Sequence, residues 1–117
     1  MQIHIEQQAH VTVIAVAGSI DALTADALTA ALHEQVSAGH TRLVAAFHEV
    51  EYTSSAGLRV LLATLKAARQ QGGDLRLASV QDRVRGVLEL SGFTSILKCY
   101  PDVQQAVASY PVAARDT

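Results

Sequence analysis

Cysteine is nearly absent from this 117-residue chain, with Cys99 standing alone. A single cysteine excludes an internal disulfide and a cysteine-built metal cluster, and it suits a reducing compartment. Charge of one sign is equally scarce. Nine Lys and Arg against eleven Asp and Glu give a net charge of −2 and a pI near 6.2, without the basic stripe expected of a nucleic-acid binder. Nor is there an electrostatic reason to expect a membrane surface as partner. The longest nearly apolar stretch, Val11 to Ala17, is far short of the ~20 residues a membrane helix needs. The opening residues Met1-Gln2-Ile3-His4-Ile5-Glu6 lack a basic segment followed by a long apolar one. They do not read as a signal peptide, and the cytoplasm is the expected location.

Signatures of catalysis and cofactor binding are also missing. No P-loop or G-x-G-x-x-G run is present. Ser54-Ser55-Ala56-Gly57 is not the G-x-S-x-G nucleophile elbow, and no histidine is placed by sequence as its base. His4, His10, His33, His40 and His48 are scattered without the i, i+4 pairing of helical metal ligands, so they read as surface residues. Cys99 reads as a small hydrophobe rather than a nucleophile. The expectation is a chain that is not an enzyme and carries no cofactor or metal.

What is present is material for one core. Half of the residues are hydrophobic and 17% are charged, enough apolar content for a folded domain at a length suited to one domain. Ile3-His4-Ile5-Glu6 alternates, and Val11 to Ala17 is β-branched, which predicts a hairpin whose second strand is central. After Gly18, the residues Leu23, Ala27, Leu28, Ala31, Leu32 and Val36 form a stripe predicting a helix from about Thr24 to Ala38, stopped by Gly39. Arg42 to Phe47 reads as a buried strand, with a loop from His48 to Thr53. From Ser55, the residues Leu58, Leu61, Leu62 and Leu65 fall at i, i+3, i+4 and i+7, opposite Arg59, Lys66 and Arg69, and Gly72-Gly73 stops this second helix.

Leu75 to Ala78 is the next strand, and Val80, Val84, Val87 and Leu88 mark a third helix ending at Ser91-Gly92. Ile96 to Tyr100 is a weak last strand, followed by a short helix from Val103 to about Ser109. The predicted architecture is α/β, with a mixed, mostly parallel sheet of about five strands and about four helices packed mainly on one face. Residues 1–110 form the domain and 111–117 a C-terminal tail.

The helix start at Ser54-Ser55-Ala56-Gly57 is the candidate functional centre. Unpaired N–H groups and the positive end of the helix dipole meet there, so a serine can cap the helix or carry a phosphate. Ser55 has both readings open, and Ser54 rivals it in each. Asp21 is either a partner contact or the cap of the first helix, with Thr24 in its first turn. Arg59, Lys66 and Arg69 could dock an acidic partner, Arg59 lying nearest Ser55, or belong to a solvated face.

The run Val50-Glu51-Tyr52-Thr53-Ser54-Ser55-Ala56-Gly57-Leu58-Arg59-Val60-Leu61-Leu62, with Gln71-Gly72-Gly73-Asp74-Leu75, resembles the signature of the STAS domain, in particular the bacterial anti-sigma factor antagonists. Gly18-Ser19-Ile20-Asp21 and Val87-Leu88-Glu89-Leu90-Ser91-Gly92-Phe93 extend the resemblance over nearly the whole chain. It implies a partner-switching regulator of transcription. The unmodified antagonist captures a serine kinase that doubles as the anti-sigma factor, phosphorylation of one serine ends the capture, and a metal-dependent serine phosphatase restores it. ATP and metal belong to those enzymes.

By position the phosphoacceptor falls on Ser55, and Asp21, Thr24, Ser54, Ser55, Ala56, Gly57 and Arg59 are the implied partner-binding residues. Ser54 stands where the family motif commonly has aspartate, and Ala46 replaces an acidic or amide residue often found at the end of the preceding strand. A STAS subunit of a membrane transport assembly, docking an ATPase without phosphorylation, is the alternative the same resemblance leaves open.

Overall fold

The computed structural model describes residues 1–111; of the expected tail, 112–117 lie outside the described residues. Five strands, β1 (Gln2–Gln8), β2 (Val11–Ala17), β3 (Arg42–Glu49), β4 (Asp74–Ala78) and β5 (Lys98–Tyr100), form one sheet in sequence order. Four α-helices accompany them: α1 (Ala25–Ser37), α2 (Ser55–Gln70), α3 (Asp82–Leu90) and α4 (Val103–Ala108). Only β1 and β2 are antiparallel, and every later pair is parallel.

The alternation of side chains across the strands builds two unequal layers. Ile14, Val16, Leu43, Ala45, Phe47, Leu75 and Leu77 point to one face, where α1 adds Leu28 and Leu32, α2 adds Leu61 and Leu65, and α3 adds Val84 and Leu88. Large side chains in that set, Phe47, Ile14, Leu28, Leu61 and Leu75 among them, are under 2% exposed. Each such burial contributes about 1.5–3 kcal/mol. The opposite face carries Val11, Val13, Val44, Ala46 and Ala78, covered by Ala106 and Tyr110. Three helices on one side and short α4 on the other agree with the expected one-sided packing. Because β3 is covered on both faces, its residues Leu43 to Phe47 are all buried, which explains their unbroken apolar run.

Differences from the sequence reading have local causes. The first strand is longer at both ends because its backbone pairs with the whole of β2, from Gln2 opposite Ala17 to Gln8 opposite Val11. β3 runs on through His48 and Glu49, both exposed, and Ala17 of β2 meets Glu49 beyond a register shift. The buried line of α1 is Ala25, Leu28, Leu32 and Val36. Leu23 is not part of that line, since it lies ahead of the helix and is 92% exposed. Ile96 and Leu97 fall outside β5: a 3-10 turn over Phe93–Ser95 precedes them, and the Leu97 N–H donates to the Phe93 carbonyl (2.8 Å).

Under α4 lies a buried polar network. Asp74 accepts from Arg69 Nε (2.9 Å) on one oxygen and from Arg76 Nε (3.0 Å) on the other. Arg76 also donates to Ser109 Oγ (2.7 Å) and stacks 4.0 Å from the centroid of the Tyr110 ring. The Tyr110 hydroxyl lies within donor range of two carbonyls, Leu43 (2.7 Å) and Asp74 (2.8 Å), which share its one proton, and it accepts from the Leu43 N–H (3.1 Å). One aromatic side chain near the end of the chain thereby fastens α4 to both β3 and β4. Burial, reinforced by the Asp74 charge, pushes the Tyr110 hydroxyl well above the usual phenol range.

Beyond the C-terminal ends of β2 and β3, parallel pairing resumes for one step. Ile20 and Thr53 form an isolated bridge. The Ile20 N–H donates to the Tyr52 carbonyl (2.9 Å), and the Ser54 N–H donates back to the Ile20 carbonyl (2.8 Å). The β2–α1 and β3–α2 connections are therefore fixed to each other at the sheet end where α2 starts.

Candidate partner-docking site

Ser54 is extended (φ −91°, ψ 178°), and its Oγ accepts from the Ala56 N–H at 3.2 Å. Its carbonyl takes the first helical bond, from the Leu58 N–H (3.1 Å). The cap of α2 is accordingly Ser54, not Ser55. Ser55 is the first residue inside the helix and is exposed, and its hydroxyl makes no hydrogen bond among the described residues. The residues alone leave either serine open as the cap, and the backbone separates them.

Gly57 points inward. A β-carbon there would overlap the Thr53 hydroxyl and stand 2.7 Å from Cγ2 of Ile20. Its lack of a side chain lets the first turn of α2 press against the Ile20–Thr53 bridge, so its contribution to any docking surface is indirect. Ala56 is half-buried against the main core. Arg59 is exposed and makes no ion pair or side-chain hydrogen bond among the described residues. It lines a shallow groove between α1 and α2 together with Ala22, Ala25, Asp26, Ala56 and Ala63. Lys66 is exposed farther along the helix. Arg69, grouped with them by sequence spacing, is committed to Asp74 and to the Ile96 carbonyl (2.8 Å).

On the neighbouring connection, Asp21 and Thr24 cap each other. Asp21 Oδ1 accepts from the N–H groups of Leu23 (2.9 Å) and Thr24 (3.1 Å), while Thr24 Oγ1 accepts from the Asp21 N–H (2.9 Å) and donates to the Ser19 carbonyl (2.9 Å). This reciprocal arrangement satisfies donors just ahead of α1 in the manner of a capping box. Thr24 precedes the helix rather than lying inside its first turn. Because Asp21 is half-buried, capping still leaves it partly open to solvent.

Two apolar side chains that the sequence did not single out for the site border it. Leu23 is 92% exposed on the Asp21–Thr24 turn, and Tyr52 is 47% exposed on the loop before Thr53. Leu23 fitted a helical stripe in sequence; only the turn geometry shows that it faces outward.

No group of three or more His, Cys, Asp or Glu that could hold a metal occurs among the described residues. Cys99 is half-buried, and burial pushes its thiol above the ordinary range, which disfavours the thiolate. No helix among the described residues is long and apolar enough to cross a membrane.

Comparison with known proteins gives a consistent result. The STAS domain model matches residues 2–106. BtrV of Bordetella bronchiseptica, which is named as a candidate anti-sigma factor antagonist, is 38% identical over 82% of this chain and 83% of its own. The anti-sigma-B factor antagonist of Listeria monocytogenes is 37% identical over 73% of this chain and 75% of its own. Among solved structures, an anti-sigma factor antagonist from Mycobacterium paratuberculosis superposes with a TM-score of 0.85 at 28% identity, covering 92% of each chain. With the family match spanning the whole sheet and reaching into α4, the chain belongs to the STAS domain family.

Proposed function

We propose that this chain is an anti-sigma factor antagonist that works by switched binding, with Ser55 as the phosphoacceptor. Unmodified, it captures an anti-sigma factor that is also a serine kinase. Phosphorylation of Ser55 ends the capture, and a metal-dependent serine phosphatase restores it. The docking surface comprises Asp21, Thr24, Ser54, Ser55, Ala56 and Arg59, with Gly57 beneath them and Leu23 and Tyr52 at its border.

The observation that carries this reading is the division of labour between the two serines. Ser54 satisfies the helix start, so the exposed Ser55 hydroxyl has no structural task and is available to a kinase. A phosphate there adds about −1.5 to −2 charges at pH 7. The helix N-terminus accommodates that charge, so the fold persists while a docked partner meets a new dianion. The function is binding, and ATP and metal are supplied by the enzymes that act on the chain. The membrane-transport reading has no comparable observation in its favour.

The test is to capture the native partner on the immobilised protein, add ATP and map phosphate by mass spectrometry. The expected outcome is one phosphate on Ser55, none on the Ser55→Ala protein, and release of the partner. Recovery of a transporter ATPase with Ser55 unmodified would overturn the proposal.

A further inference from the structure

Arg59 has no task in the fold. Among the described residues it is exposed, makes no ion pair or side-chain hydrogen bond, and is the one Lys or Arg beside Asp26 in the α1–α2 groove. Its position in α2 is four residues after Ser55. Side chains at i and i+4 are neighbours on a helix, about 5–6 Å apart at Cβ. Each Cα–Cβ bond tilts toward the helix N-terminus, so Arg59 leans back toward Ser55 rather than away from it. An acidic group N-terminal to a basic one at this spacing is the favourable order.

We infer that Arg59 is the internal receptor for the phosphate on Ser55, closing an i, i+4 ion pair along the exposed stripe of α2. This rests on Ser55 being the modified residue. The guanidinium offers a planar fork of N–H donors matched to two phosphate oxygens. The groove acid, Asp26 on α1, lies beside Arg59 yet makes no ion pair with it, so no existing bond must break. The pairing alters the docking surface twice over. It adds the phosphate, and it withdraws the Arg59 guanidinium from any acidic group a partner presents to the groove. A partner that reads Arg59 is then displaced by competition within this chain as well as by repulsion.

The measurement uses the full chain with phosphoserine placed at position 55 during translation, so no kinase is needed. The second ionisation of the phosphate, ordinarily near pH 6, is followed by phosphorus NMR in the native sequence and in R59Q, with R59K as the charge-retaining variant. The helix dipole acts on the phosphate in all three proteins, so differences among them isolate residue 59. The expected midpoint is lower by about 0.15–0.4 pH unit with Arg59 than with glutamine, a size set by the exposed i, i+4 pairing of the one charge that the second ionisation adds. R59K should fall between the two, and 1 M salt should collapse the differences. Equal midpoints for the native and R59Q proteins at low salt would overturn the inference. Failure of every kinase to modify Ser55 would instead overturn the functional reading and leave this measurement standing.

Discussion

Gly57→Ala sets two effects of opposite sign against each other. Gly57 lies in the first turn of a regular helix, and replacing glycine by alanine in a helix ordinarily stabilises it by about 1 kcal/mol. Here, however, the new β-carbon would overlap the Thr53 hydroxyl and come within 2.7 Å of Cγ2 of Ile20, two residues that are 2% and 0% exposed. Neither can swing into solvent, so the helix start has to move. Overpacking of this kind costs about 1–3 kcal/mol, and the steric term should exceed the propensity gain. The expected net loss is up to about 2 kcal/mol, or a fall in Tm of up to about 10 °C.

Gly86→Ala is the matched control. It is also inside a helix, and a β-carbon there meets nothing within 4 Å, so it should stabilise by about 0.5–1 kcal/mol. Urea unfolding of the three proteins, with m-values compared to confirm that midpoints report stability, gives the answer. A Gly57→Ala protein as stable as Gly86→Ala would refute the reasoning about close approach at the bridge.

Two further outcomes follow from the same geometry. Ser54→Ala should lose about 1 kcal/mol in urea unfolding because the Ala56 N–H loses its acceptor, whereas Ser55→Ala should stay within about 0.5 kcal/mol of the native protein. Tyr110→Phe removes a hydroxyl that bonds both β3 and β4 and should cost about 1–2 kcal/mol at neutral pH. Since folding raises the Tyr110 pKa above its unfolded value near ~10, the native protein's advantage is complete below that pH and is lost as pH climbs toward the folded value. Unfolding midpoints of the two proteins measured from pH 8 upward should therefore converge on the alkaline side.

Much of the architecture is legible in the residues because it depends on periodicity. The β-branched run from Val11, the leucine stripe of α2 and the Gly72-Gly73 stop each specify a local structure with few alternatives. The STAS-like motif around Ser55 locates the candidate site as well. What the sequence does not give is contact between distant segments. The inward aim of Gly57 depends on Ile20, 37 positions earlier in number, and the commitment of Arg69 depends on where β4 places Asp74. Leu23 satisfies a helical spacing yet faces outward because the Asp21–Thr24 turn delays the helix. The choice of Ser54 over Ser55 as cap turns on a single backbone angle, which adjacent identical residues do not encode separately.

The Ile20–Thr53 bridge also limits how an enzyme can address Ser55. Many peptide-modifying enzymes bind their substrates as extended segments. Here, pulling residues 52–56 into an extended strand would break the Ser54–Ile20 hydrogen bond, lift Tyr52 from Ile20 and unwind the first turn of α2 together. An enzyme that modifies Ser55 must take the folded domain as its substrate, with the helix start as a rigid ledge. A synthetic peptide of residues 50–60 would present the same letters without the recognisable shape, and should be a far poorer substrate than the intact chain.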